Sequence, residues 1–347
     1  MALRQTKSRT SPQRFERLNP TYRKIMTITA VTSEVSSENV SSENVSYEDV
    51  IHAIKKDLPT LPKILEELIK RVSDIESSLE SIQDLIEVDQ AITSRILKVS
   101  NKVEFLEPDE ARITSVQDAL HKIGLENAKR ISLNVSVLHL MEKVEFPRTF
   151  TFASLWQHSL GVAVASSVLA EETGYENSDE AYTCGLVHDI GKLIKIKFDQ
   201  EEFCREVEAA REENLDLRSF ELINDCLMHD ELGSLMLELW EMPIELSSVV
   251  RYHHTEHRIM RTGVESADLH HLIDIVYLAN LLAQKLEIGN SGHSFIKVPS
   301  PALLESLGLD YEHLEGLEQK ILKNYEESSS FFFHLVNFCK GSFFFWT

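Results

Sequence analysis

From residue 64 onward the apolar side chains recur at spacings of three and four. Ile64, Leu65, Leu68, Ile69 and Val72 share one helical face. Ile82, Leu85 and Ile86 share a second, and Ile92, Ile96 and Val99 a third. Ser115 and Asp118 have the spacing of a capping box, and Gly124 suits the end of the helix they open. Ile131, Val135 and Leu138 continue the pattern. No period of two is sustained anywhere, so strands are minor or absent and the pattern predicts an all-α chain.

A second helical block follows. Ser154 and Gln157 have capping-box spacing and predict a helix running to about Glu172. The middle of that helix holds Gly161, Ala163, Ala165, Ser166 and Ser167, small residues that let another helix approach closely. Residues 178–197 read as one helix, with Asp179 and Glu180 in the first turn where the dipole prefers them. Further helices are expected over 219–240, over 243–254 with Pro243 in its first turn, and over 268–287, stopping before Gly289.

The ends differ from this. Residues 1–25 carry seven Lys/Arg and one Glu. They read as an upstream extension with Met26 as the natural start, or as an arm for something acidic. Residues 33–46 repeat Ser-Ser-Glu-Asn-Val twice, the composition of a disordered linker. Residues 331–347, FFFHLVNFCKGSFFFWT, are aromatic and aperiodic. They read as a sequence out of its natural frame, or as a membrane-surface tail. The expected organisation is a disordered arm over 1–46, a helical domain over 47–290 divided near 147, and a tail of doubtful order over 291–347.

Composition narrows the function classes. A hydrophobic share of 43% supports a real core, and a formal charge of −21 repels phosphate backbones and anionic headgroups. Nucleic acid is therefore not an expected partner. The four cysteines form no CxxC pair, which argues against a disulfide framework or thiolate zinc site and suits a cytoplasmic setting. No apolar run is long enough to span a bilayer.

Chemistry concentrates in histidine. A His-Asp dipeptide alone is what chance supplies, and the chain has two, His188-Asp189 and His229-Asp230. The first lies in Cys184-Gly-Leu-Val-His-Asp-Ile-Gly-Lys192, where apolar residues lead into the pair and point it inward. A buried His-Asp pair needs partners, and a divalent metal is a natural one. His158 sits on the small-residue helix; His229 and His253-His254 follow downstream. Imidazole and carboxylate donors suit Mn, Fe, Zn or Ni rather than calcium.

The order His158 … His188-Asp189-Ile-Gly-Lys192 … His229 … His253-His254 resembles the HD superfamily of metal-dependent phosphohydrolases. Leu58-Pro-Thr-Leu-Pro62, the run from Leu85 through Asp89 and Arg95 to Asn101, and Ile113 to Gly124 narrow the resemblance to HDOD domains. So do Glu221 and His229-Asp-Glu-Leu-Gly233 running to Trp240-Glu-Met-Pro243. The likeness covers about residues 55–287.

The resemblance implies an HD-like helical fold with an additional N-terminal helical lobe. It implies that His158, His188, Asp189 and a late Asp bind one metal. At the late position this chain has Leu278-Ala279-Asn280, and Asn280 offers only a neutral carbonyl oxygen. Asp274 falls on another face of that helix. His229, His253 and His254 match the further ligands of two-metal members, with Asp189 bridging and Lys192 stabilising developing charge. The Gly-Tyr-Pro motif of cyclic-dinucleotide hydrolases is missing after the His pair. The implied function is a regulatory signalling domain with a degenerate site for a divalent transition metal (Mn, Fe or similar), held weakly or not at all. Such a domain would sense a nucleotide or hold a protein partner with little turnover. The alternative is a metal-dependent phosphohydrolase. Pro59 and Pro62 are expected to fix a helix entry, Arg95 and Asn101 to make internal hydrogen bonds, and Trp156 and Trp240 to lie in the core.

Overall fold

The computed structural model describes residues 63–72, 78–101, 112–141, 144–147, 150–292 and 295–339. The expected arm and repeat, Pro59 and Pro62, and residues 340–347 of the aromatic end lie outside them. Every regular element among the described residues is a helix.

The first five are α1 (Lys63–Val72), α2 (Leu79–Val88), α3 (Gln90–Ser100), α4 (Val116–Ile123) and α5 (Leu125–Met141). Their inward faces are those of the apolar pattern: Leu65, Leu68, Ile69, Ile82, Ile86, Ile92, Ile96 and Val99 are all buried. Ser115 caps α4 as its spacing predicts. Its hydroxyl accepts from the Asp118 amide at 3.0 Å and donates to the Asp118 carboxylate at 2.6 Å. Gly124 then turns the chain at φ +80°, a backbone angle costly for residues with a Cβ. Asn101 ties α3 to the segment entering α4, since its side chain both donates to the Ile113 carbonyl and accepts from the Ile113 amide.

Helix α5 is buried on nearly every side. It packs on α1, α3 and α4 and also against α7 (Ser178–Val187). Arg130 on α5 bonds Asp179 and Ser167 at 3.0 and 2.9 Å, and Asn134 bonds the Tyr182 hydroxyl at 2.7 Å.

At the centre of the rest lies α6 (Phe152–Thr173), packed against α7 and the later helices α13 (Ala267–Lys285) and α15 (Tyr311–Cys339). Its small residues do what their size suggests. A Cβ on Gly185 of α7 would sit 2.8 Å from the Val162 carbonyl oxygen and 2.9 Å from the Ala163 Cα, so only glycine permits this crossing. The cap of α6 is Thr151, whose hydroxyl accepts from Ser154; the expected cap at Ser154 is one turn late.

Two helices expected as single pieces are each broken. Residues 178–197 split into α7 and α8 (Ile190–Phe198), with His188 and Asp189 at the joint. After α9 (Gln200–Glu212), residues 219–240 split into α10 (Leu217–Ile223) and α11 (His229–Leu239). Then come α12 (Ile244–Tyr252), a short 3-10 turn (Arg258–Met260), α13 and α14 (Pro301–Ser306). Pro243 precedes α12 as its cap rather than lying inside it. Within the expected tail, α14 and α15 are helical, and Leu303, Leu304, Leu314, Leu317 and Ile321 join the core. That burial is why they fold: their apolar residues have a core to join, and those of α15 have α6 to cover. No helix of the described residues is long and apolar enough to cross a membrane.

Candidate metal centre

The broken helices aim the histidines. His188 ends α7 and Asp189 occupies the capping position of α8, yet the Asp189 carboxylate makes no capping bond. An aspartate in that position ordinarily accepts from the helix amides, a bond whose loss costs about 1 kcal/mol. Here the carboxylate turns inward instead. Its Oδ2 accepts from Lys192 Nζ at 2.7 Å and lies 3.2 Å from His188 Nε2 and 3.9 Å from His158 Nε2. Its Oδ1 lies 3.5 Å from both His229 Nε2 and His253 Nε2 and has no hydrogen-bond partner. His188 and Lys192 do not pair along one helical face as four-residue spacing suggests, because the break falls between them. Asp189 is what Lys192 holds.

Three of the rings that face Asp189, His188, His229 and His253, are anchored from behind. His188 Nδ1 donates to the Gly185 carbonyl, and His253 Nδ1 to the Val250 carbonyl, both at 2.7 Å. Carbonyl oxygens only accept, so these rings carry their proton on Nδ1 and turn the Nε2 lone pair inward. Both Nε2 atoms are buried without a hydrogen bond. His229 is anchored by Glu221, whose Oε2 accepts from His229 Nδ1 at 2.7 Å and from the His229 amide at 3.2 Å. Its Nε2 lies 3.0 Å from His254 Nε2.

The donor atoms fall into two groups that share Asp189, each within 4.8 Å: Asp189, His229, His253 and His254; and His158, His188 and Asp189. An inward lone pair with its ring secured behind is the form in which imidazole binds a transition metal. The residues present therefore fit such an ion.

Asn280 on α13 is buried, but its Oδ1 accepts from Gln284 Nε2 at 2.9 Å. Asp274 is occupied elsewhere, by Arg258 and Arg261 at 2.6 Å each and by Ser306 at 3.1 Å.

The electrostatics suit a cation. Burial alone would raise the Asp189 carboxyl, but the neighbouring His188 and Lys192 outweigh it and hold it well below the usual carboxylate range. Burial pushes His253 down to about 4 and His254 well below its ordinary value, so both rings are neutral at pH 7. Most of the donors are out of water. His158, His188 and His253 are fully buried and His254 is partly exposed at the edge of the group. A separate cavity of about 10 Å³, lined by Asp189 and mostly apolar residues and by none of the histidines, lies behind Asp189. Val137, Leu140 and Met141 of α5 form one wall of it.

The sequence motifs include Glu221 without giving it a task, and they leave out Lys195 and Glu206. Lys195 Nζ is buried between Glu206, Glu221 (2.6 Å) and the Leu227 carbonyl (2.6 Å). The one available signal is a lysine inside the apolar run of α8.

The model of the HDOD domain family matches residues 58–256, more than half of the chain. This chain belongs to the HDOD family. An uncharacterised protein of Treponema pallidum (strain Nichols) is 24% identical to this HDOD protein over 199 residues, 57% of this chain and 38% of the relative. The chain thus spans well under half the length of that relative. Among solved structures, an HDOD domain protein of unknown function from Geobacter sulfurreducens has a TM-score of 0.63 at 24% identity. It covers 81% of this chain and 94% of its own. A candidate signal-transduction protein from Marinobacter aquaeolei VT8 has a TM-score of 0.66 at 14% identity, covering 91% and 67%. A candidate phosphohydrolase from Shewanella amazonensis SB2B has a TM-score of 0.56 at 20% identity, covering 79% and 93%. At these identities the solved structures establish the shared fold.

Proposed function

We propose that this HDOD protein is a regulatory domain of signal transduction, in which the His/Asp centre binds a divalent transition metal weakly and turns over little or no substrate. One observation carries the reading. Asn280 stands where the superfamily pattern has a metal-binding Asp, and its amide oxygen is already engaged by Gln284. His158, His188 and Asp189 would hold an ion there with a single carboxylate, which Lys192 also holds. Loss of a ligand charge weakens binding by at least the ten- to hundredfold typical of lost supporting interactions. A bound ion would supply Lewis acidity and, in a site open to substrate, an activated water. The domain's output would then be a change in what it binds, a nucleotide or a protein partner.

The second reading is a metal-dependent phosphohydrolase acting on a nucleotide or other phosphoester. It is favoured by the second donor group, which lacks nothing through Asn280, and by Lys192 beside Asp189. One assay separates the two. The full chain, reloaded with Mn²⁺ or Fe²⁺, is given phosphomonoesters and phosphodiesters beside the His188→Ala variant. No turnover above that variant agrees with the regulatory reading. Many turnovers per site, lost in His188→Ala, would establish the hydrolase.

A further inference from the structure

His229 is held differently from its neighbours. His188 and His253 rest their Nδ1 atoms on neutral main-chain carbonyls, whereas His229 rests on a carboxylate. That carboxylate is itself fixed at both oxygens. Glu221 Oε2 takes the ring N–H and the backbone amide of His229, so one group sets both the start of α11 and the rotation of the ring. Glu221 Oε1 takes Lys195 Nζ. The ammonium has three protons and three acceptors, Glu206, Glu221 and the Leu227 carbonyl, so it cannot turn away without breaking a buried bond.

Stability alone does not account for this arrangement. A buried ion cluster contributes little net stabilisation over an apolar replacement of similar volume. The arrangement is also directed: Lys195 joins Glu206 and Glu221, and Glu221 in turn meets the His229 ring. A carboxylate behind an imidazole fixes its tautomer and makes the opposite nitrogen a stronger donor.

We propose that Glu221, seated by Lys195, is a positioning residue that makes His229 the anchoring nitrogen donor of the metal centre. The inference rests on the metal-binding part of the function proposed above and adds a hierarchy among the ligands. Glu221 touches no ion itself; it acts through the ring.

Glu221→Gln tests this closely. An amide has one acceptor and one donor end, so it must turn its NH₂ toward either Lys195 or His229. It either loses the ammonium contact or forces the other tautomer on the ring. The full-length apo protein and its E221Q variant are titrated with Zn²⁺ by calorimetry, with thermal melts of both apo proteins alongside. The expected result is a Zn²⁺ affinity lowered 10- to 100-fold in E221Q. A purely structural role would lower the melting temperature and leave the affinity of the folded variant within about twofold, and that result overturns the proposal. Nitrogen-15 NMR of the wild-type apo protein decides the question even where E221Q does not fold. The His229 ring is expected as the Nδ1–H tautomer, and an Nε2–H tautomer overturns the proposal. A wild-type chain that takes up no Zn²⁺ overturns the metal-binding reading as well, whereas equal affinities in the two proteins overturn only this inference.

Discussion

Helix α8 carries Asp189 at its start and α11 carries His229 at its start, and the two meet at glycine. A Cβ on Gly191 would lie 1.8 Å from the His229 carbonyl oxygen, 2.7 Å from its carbon and 2.8 Å from the Gly233 nitrogen. Real Cβ contacts essentially never fall under 3.0 Å, so Gly191→Ala must separate the two helices by about 1.2 Å. All three atoms are main chain, and no flexible side chain can yield. Overpacking of this kind costs about 1–3 kcal/mol and at times more, against a helix-propensity gain of about 1 kcal/mol from Gly to Ala. With three rigid main-chain contacts the cost lies at the top of that range, so the net loss should be about 2 kcal/mol, a fall of about 4–8 °C in melting temperature for a domain of this size. The same displacement carries His229 away from Asp189, now 3.5 Å distant, so metal affinity should drop at least tenfold. Gly316→Ala is the control, because nothing lies within 4 Å of its Cβ position on the exposed side of α15. That variant should melt at or slightly above the wild-type temperature. Thermal melts and Zn²⁺ titrations of the three proteins decide the matter. A Gly191→Ala protein that melts and binds like wild type would refute the close-crossing account of the site.

Three further outcomes follow from the same geometry. Asp189→Asn leaves the Lys192 ammonium buried without its counter-charge, which should cost about 3–5 kcal/mol in denaturant titration and remove metal binding; a variant as stable as wild type would contradict the pairing. Glu221 is held down at about 2, because His229 and Lys195 together outweigh its burial. A depressed carboxyl contributes stability above its ordinary value of 4.5 and loses it as pH falls toward 2. The loss should be on the order of 3 kcal/mol in urea titrations, and a Glu221→Gln protein with an equally steep acid limb would contradict the assignment. Asp274→Asn strips Arg258 and Arg261 of a shared carboxylate and should lower the melting temperature by several degrees without changing metal affinity. A change in metal affinity there would mean that Asp274 reaches the centre.

Much of the fold is written in the local pattern. The faces of α1 to α5 follow from spacings of three and four, because an amphipathic helix has one neighbour to cover and one side to leave wet. The small residues of α6 likewise announce the close crossing with α7. The breaks at His188-Asp189 and at residues 224–228 are not legible in the same way. The apolar pattern runs straight through the first, with no proline and with glycine on both sides rather than at the joint. What breaks that helix is the site: Asp189 gives up its capping bond to face the histidines and Lys192. The Thr151 cap is missed because Ser154 and Gln157 offer the same chemistry one turn later. The candidate ligands are legible as an ordered set of residues. Their anchoring is not, because Lys195 meets Glu221 across 26 residues, and long-range pairing of buried charges leaves no periodic trace. Helices α14 and α15 escape the pattern for a related reason, since their apolar residues gain meaning only once the core is there to receive them, for α15 the face of α6.

The claim that joins these observations is that the centre is a metal site weakened at Asn280. Elemental analysis of the full-length protein after reloading with Mn²⁺ or Fe²⁺, beside Asn280→Asp, tests it most directly. The account predicts less than one ion per chain in the wild type and a clear rise toward one or more in the variant. No transition metal in either protein, or equal occupancy in both, would contradict it.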